Sequence, residues 1–231
     1  MIITFISDTH TKHKLIENDL PGGDVLIHSG DFMHTGYYKQ EAVEFFEWFE
    51  NIKGYTHKIL IAGNHDRLME DEPDYMRGLL TGYKDITYIE DEWVELHGYV
   101  EKPVKIWGSP WQPEFYNWAF NLPRNGIEIA EKWSLIPDDV DILVTHGPAF
   151  GVLDTVTSTS MNLGCEKLTE RLSVVKPKLH SFGHIHGGSG YRFNGDTHSF
   201  NASSLNERYK YTNKPMTIDW DPETNEIKEF L

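Results

Sequence analysis

An α/β layered core is the fold class this sequence predicts, from two observations. Short apolar runs rich in Ile, Val and Phe recur along the chain, and segments of helical period lie between them. The first run, residues 2–7, is followed by runs at 24–28 and 58–62, all plausible core strands. Between the second and third, residues 41–52 place Val43, Phe46, Phe49 and Ile52 at spacings of three, and Gly54 follows as a helix stop. Runs at 105–108, 141–145 and 179–182 give three more strands. Residues 166–175 read as a second helix, with Leu168, Leu172 and Val175 on one face and Pro177 ending it. Residues 200–203 and 216–220 read as late strands completing the sheet. The stretch 110–121 differs: it carries five aromatics and two prolines with no clear period, and reads as a long structured loop. Its rings either pack onto their own domain or stay available to stack on a base.

With 231 residues and 39% hydrophobic content, the chain can bury one sizeable core, and we read residues 1–231 as a single domain. Lys and Arg number 21 and Asp and Glu 36, a formal net charge of −15 that repels long nucleic acid. The single cysteine, Cys165, forms no internal disulfide and reads as a buried small hydrophobe. No apolar run approaches the roughly 20 residues needed to span a bilayer, and the N-terminus enters the first strand without a basic n-region. A cytoplasmic protein with no membrane partner is the expectation. Oligomeric state is left open.

Five short stretches follow the strand runs: Asp8-Thr9-His10, Gly30-Asp31, Gly63-Asn64-His65-Asp66, Thr145-His146-Gly147 and Gly183-His184-Ile185-His186. Taken singly, Asp8, Asp31 or Asn64 is an ordinary turn or cap residue, and each histidine an ordinary satisfied polar group. Taken in order, each after a strand, they deliver Asp, His and Asn side chains to one sheet edge. Carboxylate, amide oxygen and imidazole without thiolate suit manganese, iron or zinc. Asp8 and His10 sit two apart and can grip one ion, with His186 returning to it; Asn64, His146 and His184 then hold a second. Asp31 is suited to bridge, since one carboxylate can serve ions about 3.5–4 Å apart.

In this order the five motifs resemble the calcineurin-like metallophosphoesterase superfamily, over residues 8–186. Ser109-Pro110-Trp111, Asn117-Trp118-Ala119-Phe120, Leu153-Asp154, Gly164-Cys165 and Asn201-Ala202-Ser203 resemble its metallophosphoesterase-domain-containing branch, implicated in cyclic nucleotide phosphodiesterase activity. One departure is that Gly30-Asp31 continues as Phe32-Met33-His34 rather than with an Asp or Asn three residues after the first Asp. The resemblance implies a four-layer αββα sandwich with two central mixed β-sheets and a metal centre at the strand ends. It implies two divalent ions, manganese foremost with iron or zinc as alternatives, that activate a water for attack on phosphorus. It further implies that His65 is the general acid, with Asp66 holding its ring; Asp66 as a helix cap or an Arg67 partner is the alternative. For substrate contacts the candidates are Asn64, His65, Arg67 and Asn201, with a surface role for Arg67 and a turn role for Asn201 as the plainer readings. His28 and His34, which flank Asp31, are the other histidines worth following. The expected function is phosphodiester hydrolysis of a small nucleotide-like substrate, against a phosphomonoesterase or phosphoprotein phosphatase and, third, a catalytically inactive scaffold.

Overall fold

The β-branched run at the start of the chain forms the central strand of a sheet in a computed structural model that describes residues 1–231. In chain order the strands are β1 (Ile2–Ile6), β2 (Gly23–His28), β3 (Tyr55–Leu60), β4 (Ile86–Tyr88), β5 (Glu92–Leu96), β6 (Val104–Ser109), β7 (Gln112–Pro113) and β8 (Asn121–Leu122). They continue with β9 (Ile142–Thr145), β10 (Thr155–Val156), β11 (Met161–Asn162), β12 (Leu179–Phe182), β13 (Gly190–Phe193), β14 (His198–Asn201), β15 (Met216–Asp221) and β16 (Glu226–Phe230). The helices are α1 (Lys39–Asn51), α2 (Arg67–Asp71), α3 (Pro73–Leu80), α4 (Ile127–Ser134) and α5 (Glu166–Val175).

Two six-stranded mixed sheets carry the fold, in the orders β16-β15-β1-β2-β3-β4 and β13-β14-β12-β9-β6-β5. Strands β1 to β4 run parallel in the first, and β14, β12, β9 and β6 in the second; the antiparallel strands lie at the edges. The inner faces meet in one apolar cluster that joins Ile3, Phe5, Val25 and Ile59 to Ile106, Ile142, Leu179 and Phe200. Phe5 and Phe200 stack across it at 4.5 Å. Outside the first sheet, α1 to α3 cover a second cluster built on Phe45, Phe46, Phe49, Met69 and Met76; outside the second, α4 and α5 cover a third built on Trp107, Ile129, Trp133 and Leu168. Burying each such aliphatic or phenyl side chain contributes about 1.5–3 kcal/mol relative to leaving it in water. The layers are therefore helix, sheet, sheet, helix.

The buried face of α1 is Ala42, Phe45, Phe46 and Phe49 with Trp48, the spacing of an α-helix, and not the every-third row through Val43, which is only half-buried. A row at exact threes drifts around a helix of 3.6 residues per turn, so Val43 rotates off the core. Apolar periodicity does not mark β4, β5, β13, β16, α3 and α4. The edge strand β5 reads Glu-Trp-Val-Glu-Leu with only Leu96 buried, which breaks the apolar run that marks a core strand. Proline at the first position starts α3, and Met76 and Leu80 carry its buried face.

Candidate metal centre

The parallel strands of both sheets end at one edge, and that edge gathers the motif residues. Asp8 lies just past β1, Asp31 past β2, Asn64 past β3, His146 past β9, and His184 and His186 past β12. A bridge between Ser7 and Ser203 ties the two sheets there. Asp8, His10, Asp31, Asn64 and His146 are buried, and His184 and His186 half-buried. Four of these seven hold left-handed backbone: Asp8 (φ +52°), His10 (+39°), Asp31 (+59°) and His184 (+66°). For non-glycine residues this costs roughly 1–2 kcal/mol each and persists where the surroundings over-determine it. Glycine is needed beside them: a Cβ on Gly183 would collide with the Asp8 carboxylate, and one on Gly63 with that of Asp31.

Three of the histidines are oriented by backbone carbonyls. His10 Nδ1 donates to Met33 O at 3.1 Å, His146 Nδ1 to Ser29 O at 2.9 Å and His186 Nδ1 to Asn206 O at 3.1 Å. A carbonyl only accepts, so each Nδ1 carries a hydrogen and each Nε2 faces inward, with a lone pair to offer whenever the ring is neutral. His186 Nε2 lies 3.2 Å from Asp8 Oδ1 and 3.4 Å from His10 Nε2, which is 3.7 Å from Asp31 Oδ2. His146 Nε2 lies 3.4 Å from the same Asp31 oxygen and 2.9 Å from Asn64 Oδ1, and His184 Nδ1 is 2.7 Å from Asn64 Oδ1. Asp31 Oδ2 thus stands in both groups. Electron pairs that face one another at these distances, from oxygen and nitrogen only, fit divalent cations held between them.

The electrostatics agree with that chemistry. Burial works to raise the Asp8 and Asp31 carboxyls, yet His186 and His146 respectively hold them below the usual carboxylate range. Burial also opposes charge on His146, and the adjacent Asp31 nonetheless lifts it to about 9. His10 and His184 are pushed by burial to about 3 and stay neutral. Ionised carboxylates and neutral imidazoles are the ligand forms; Asp8, Asp31, His10 and His184 already hold them, whereas His146 and His186, which Asp31 and Asp8 raise, would give up a proton to a bound cation. Asp8 is further fixed by the His184 backbone N–H, 3.1 and 3.0 Å from its two oxygens, and by Ser203 Oγ at 2.9 Å.

A family model for calcineurin-like phosphoesterases matches residues 1–188. The chain belongs to this family. Metallophosphoesterase domain-containing protein 1 of Homo sapiens is 39% identical to it over 235 residues, covering 93% of this chain and 69% of that protein. UPF0046 protein C25E10.12 of Caenorhabditis elegans is 35% identical over 230 residues, covering 93% and 79%. The solved structure of TT1561 of Thermus thermophilus shares the fold, with a TM-score of 0.66 over 98% of this chain and 96% of that one at 13% identity. As a calcineurin-like phosphoesterase the protein is a metal-dependent phosphoric ester hydrolase, and its donor clusters fit the two divalent ions typical of the family.

Around His65 the phosphoesterase departs from the sequence reading. Its ring is held by the His34 carbonyl, which accepts from Nδ1, and by Trp118, stacked at 4.0 Å and 24°; Nε2 makes no hydrogen bond. His65 also offers a ring nitrogen within 4.8 Å of the His10 and Asp31 donors. Asp66 does not hold the ring. It accepts N–H bonds from Asp31 at 2.8 Å, Met33 at 2.8 Å and Gly63 at 2.7 Å, so it builds the turn that carries Asp31 and makes no side-chain cap to α2. Arg67 points elsewhere than a phosphate: it donates to the Asn117 carbonyl and pairs with Asp71 at 3.7 Å. Asn201 is fully buried, and its amide donates to Leu153 O at 3.0 Å and Ile185 O at 2.8 Å. It braces the loop bearing His184 and His186 and is closed to substrate. His28, buried, lies 3.0 Å from Thr9 Oγ1 and accepts from Gly30 N at 3.2 Å.

Three contributors were not singled out from sequence: Ser203, the His34 carbonyl and Trp118 as a partner of His65. Each lies in a segment the sequence marks, Ser203 in Asn201-Ala202-Ser203, His34 beside Asp31 and Trp118 in the aromatic stretch, but none of these signals gives the contact it makes. That stretch divides in the structure: Phe120 is buried and Trp111 half-buried, while Phe115 and Tyr116 are exposed.

Proposed function

We propose that this phosphoesterase hydrolyses a small, nucleotide-like phosphodiester, cyclic diesters included. The observation that carries the reading is the cleft over the metal-binding residues. It encloses about 840 Å³, with Asp31, Asn64, His184 and His186 on its floor and Phe115, Tyr116 and Tyr209 on its wall. That volume suits a single small ligand, the rings offer faces to a base, and the net charge of −15 disfavours a long polyanion. When bound, the two divalent ions, manganese foremost and iron or zinc as alternatives, withdraw charge from the phosphoryl oxygens and lower the pKa of a water for in-line attack. Asp31 joins the two donor groups into one centre. Asn64 places its amide oxygen against both His146 and His184. His65, anchored through Nδ1, keeps Nε2 free to protonate the leaving oxygen.

We take the chain to act as one domain in the cytoplasm. Cys165 is buried and unpaired, and no helix is long and apolar enough to cross a membrane. The test is a manganese-supplemented screen of bis-p-nitrophenyl phosphate against p-nitrophenyl phosphate, followed by 2′,3′- and 3′,5′-cyclic nucleotides. Preference for the diester is expected. Strong preference for the monoester would replace the reading with a phosphomonoesterase or phosphoprotein phosphatase, and no turnover of either would leave a binding scaffold.

A further inference from the structure

The metal-bearing cleft does not end at His65. A second recess of about 640 Å³ opens on the far side, and His65, Phe115, Tyr116 and Tyr209 line both spaces. The two arms differ in chemistry. The metal-side arm contains Arg124, Arg208 and Glu207. Beyond the shared residues the recess is lined by Thr35, Tyr37, Tyr38, Asn117 and Trp118, with no charged side chain, in a chain that is 25% charged. Tyr37 and Tyr38 are 60% and 65% exposed and come from a different loop than Phe115 and Tyr116, at 41% and 79%. Exposed rings from two loops converging on one hollow mark a binding surface, and a ring-lined, uncharged hollow takes a neutral planar group.

We propose that this recess is the leaving-group subsite: it receives an aromatic alcohol component of the ester, while the substituent that stays on phosphorus lies in the arm with Arg208. This rests on the reading of His65 as proton donor and of a diester as substrate. A general acid must lie on the side of the bond that breaks, and His65 stands where the two arms meet, with its ring orientation fixed by Trp118. In the step, the water oxygen bonds to phosphorus and its proton passes to solvent. The bond from phosphorus to the aromatic alcohol breaks, its electron pair goes to the departing oxygen, and that oxygen takes the proton of His65, which recovers one from solvent.

The test is the regiochemistry of an unsymmetrical diester, ethyl naphthylethyl phosphate, whose two alcohols leave with similar intrinsic ease. With manganese-loaded enzyme, naphthylethanol and ethyl phosphate are expected in excess by about tenfold, the scale of one stacked ring. The double variant Tyr37→Ala/Tyr38→Ala should bring the product ratio towards one, a readout taken within one sample that partial unfolding does not move. Ethanol and naphthylethyl phosphate as major products, or a ratio unchanged in the double variant, would overturn the assignment and leave the diesterase reading intact. If no diester is cleaved while monoesters are, the diesterase reading falls, and the recess is decided by naphthylethyl phosphate against ethyl phosphate: about tenfold preference for the former upholds it, and equal rates overturn it.

Discussion

Asp8, His10, Asp31, Asn64 and His146, in and beneath the floor of the cleft, are at most 2% exposed, whereas Tyr37, Tyr38, Phe115 and Tyr116 on its aromatic side are 41–79% exposed. Carbonyls orient the floor's histidines, the backbone N–H groups of His184 and His65 and the hydroxyl of Ser203 fix its carboxylates, and glycines flank them where nothing larger fits. The aromatic side is held mainly by its loops. One cleft therefore pairs an over-determined floor with an adaptable wall. Changes to the floor should cost the reaction itself, and changes to the wall only the choice of substrate.

The largest expected effect is Asp31→Ala, which removes the oxygen shared by both donor groups. Metal analysis of the purified variant should find both ions lost, with activity lost on monoesters and diesters alike, while Tyr37→Ala/Tyr38→Ala keeps its metal. An Asp31 variant that retains a full metal complement would break the contrast. Next is His65→Ala, at the boundary between the two regions. Metal content should be unchanged, and turnover of alkyl esters should fall by about 10²–10⁴, with a much smaller loss for nitrophenyl esters, whose leaving group needs no acid. Equal losses on both series would remove His65 from proton transfer. Ser203→Ala comes third: it withdraws one hydrogen bond from Asp8 and should weaken metal affinity by about 10–100-fold in a chelator competition, an effect no recess variant should reproduce.

A separate effect, behind the cleft, is on stability against pH. Burial pushes His28 and His180 down to about 3, and His13 to about 4 with Lys14 adding to it, so all three are neutral in the fold. Unfolded, they bind protons below about 6.5. Their contribution is full above that pH and is lost as pH falls towards 3–4. Thermal unfolding should show the melting temperature dropping across that window, and His28→Gln should make the fall shallower. A melting temperature flat over this range would show that the histidines behind the floor do not titrate as described.

The same contrast explains what was legible in the sequence. Five of the eight parallel strands, β1, β2, β3, β9 and β12, end in a short polar motif, so strand, order and ligand type could be read together, and the structure brings Asp8, His10, Asp31, Asn64, His146, His184 and His186 to one edge. Their neighbours could not be assigned by adjacency. Asp66 follows His65 in the chain but turns its carboxylate onto Gly63 and the Asp31 turn, while the group that holds the His65 ring is a backbone carbonyl 31 residues away. Asn201 has the composition of a turn residue and serves as a brace because β14 ends beside the His184 loop. The recess escaped notice because loops distant in sequence supply it and exposed tyrosines carry no period.

Anomalous scattering from crystals grown with manganese is the direct test of a two-ion centre sharing Asp31. Two peaks about 3.5–4 Å apart are expected, with Asp31 touching both, Asp8, His10 and His186 around one, and Asn64, His146 and His184 around the other. A single peak, or a pair in which Asp31 touches only one, would contradict it.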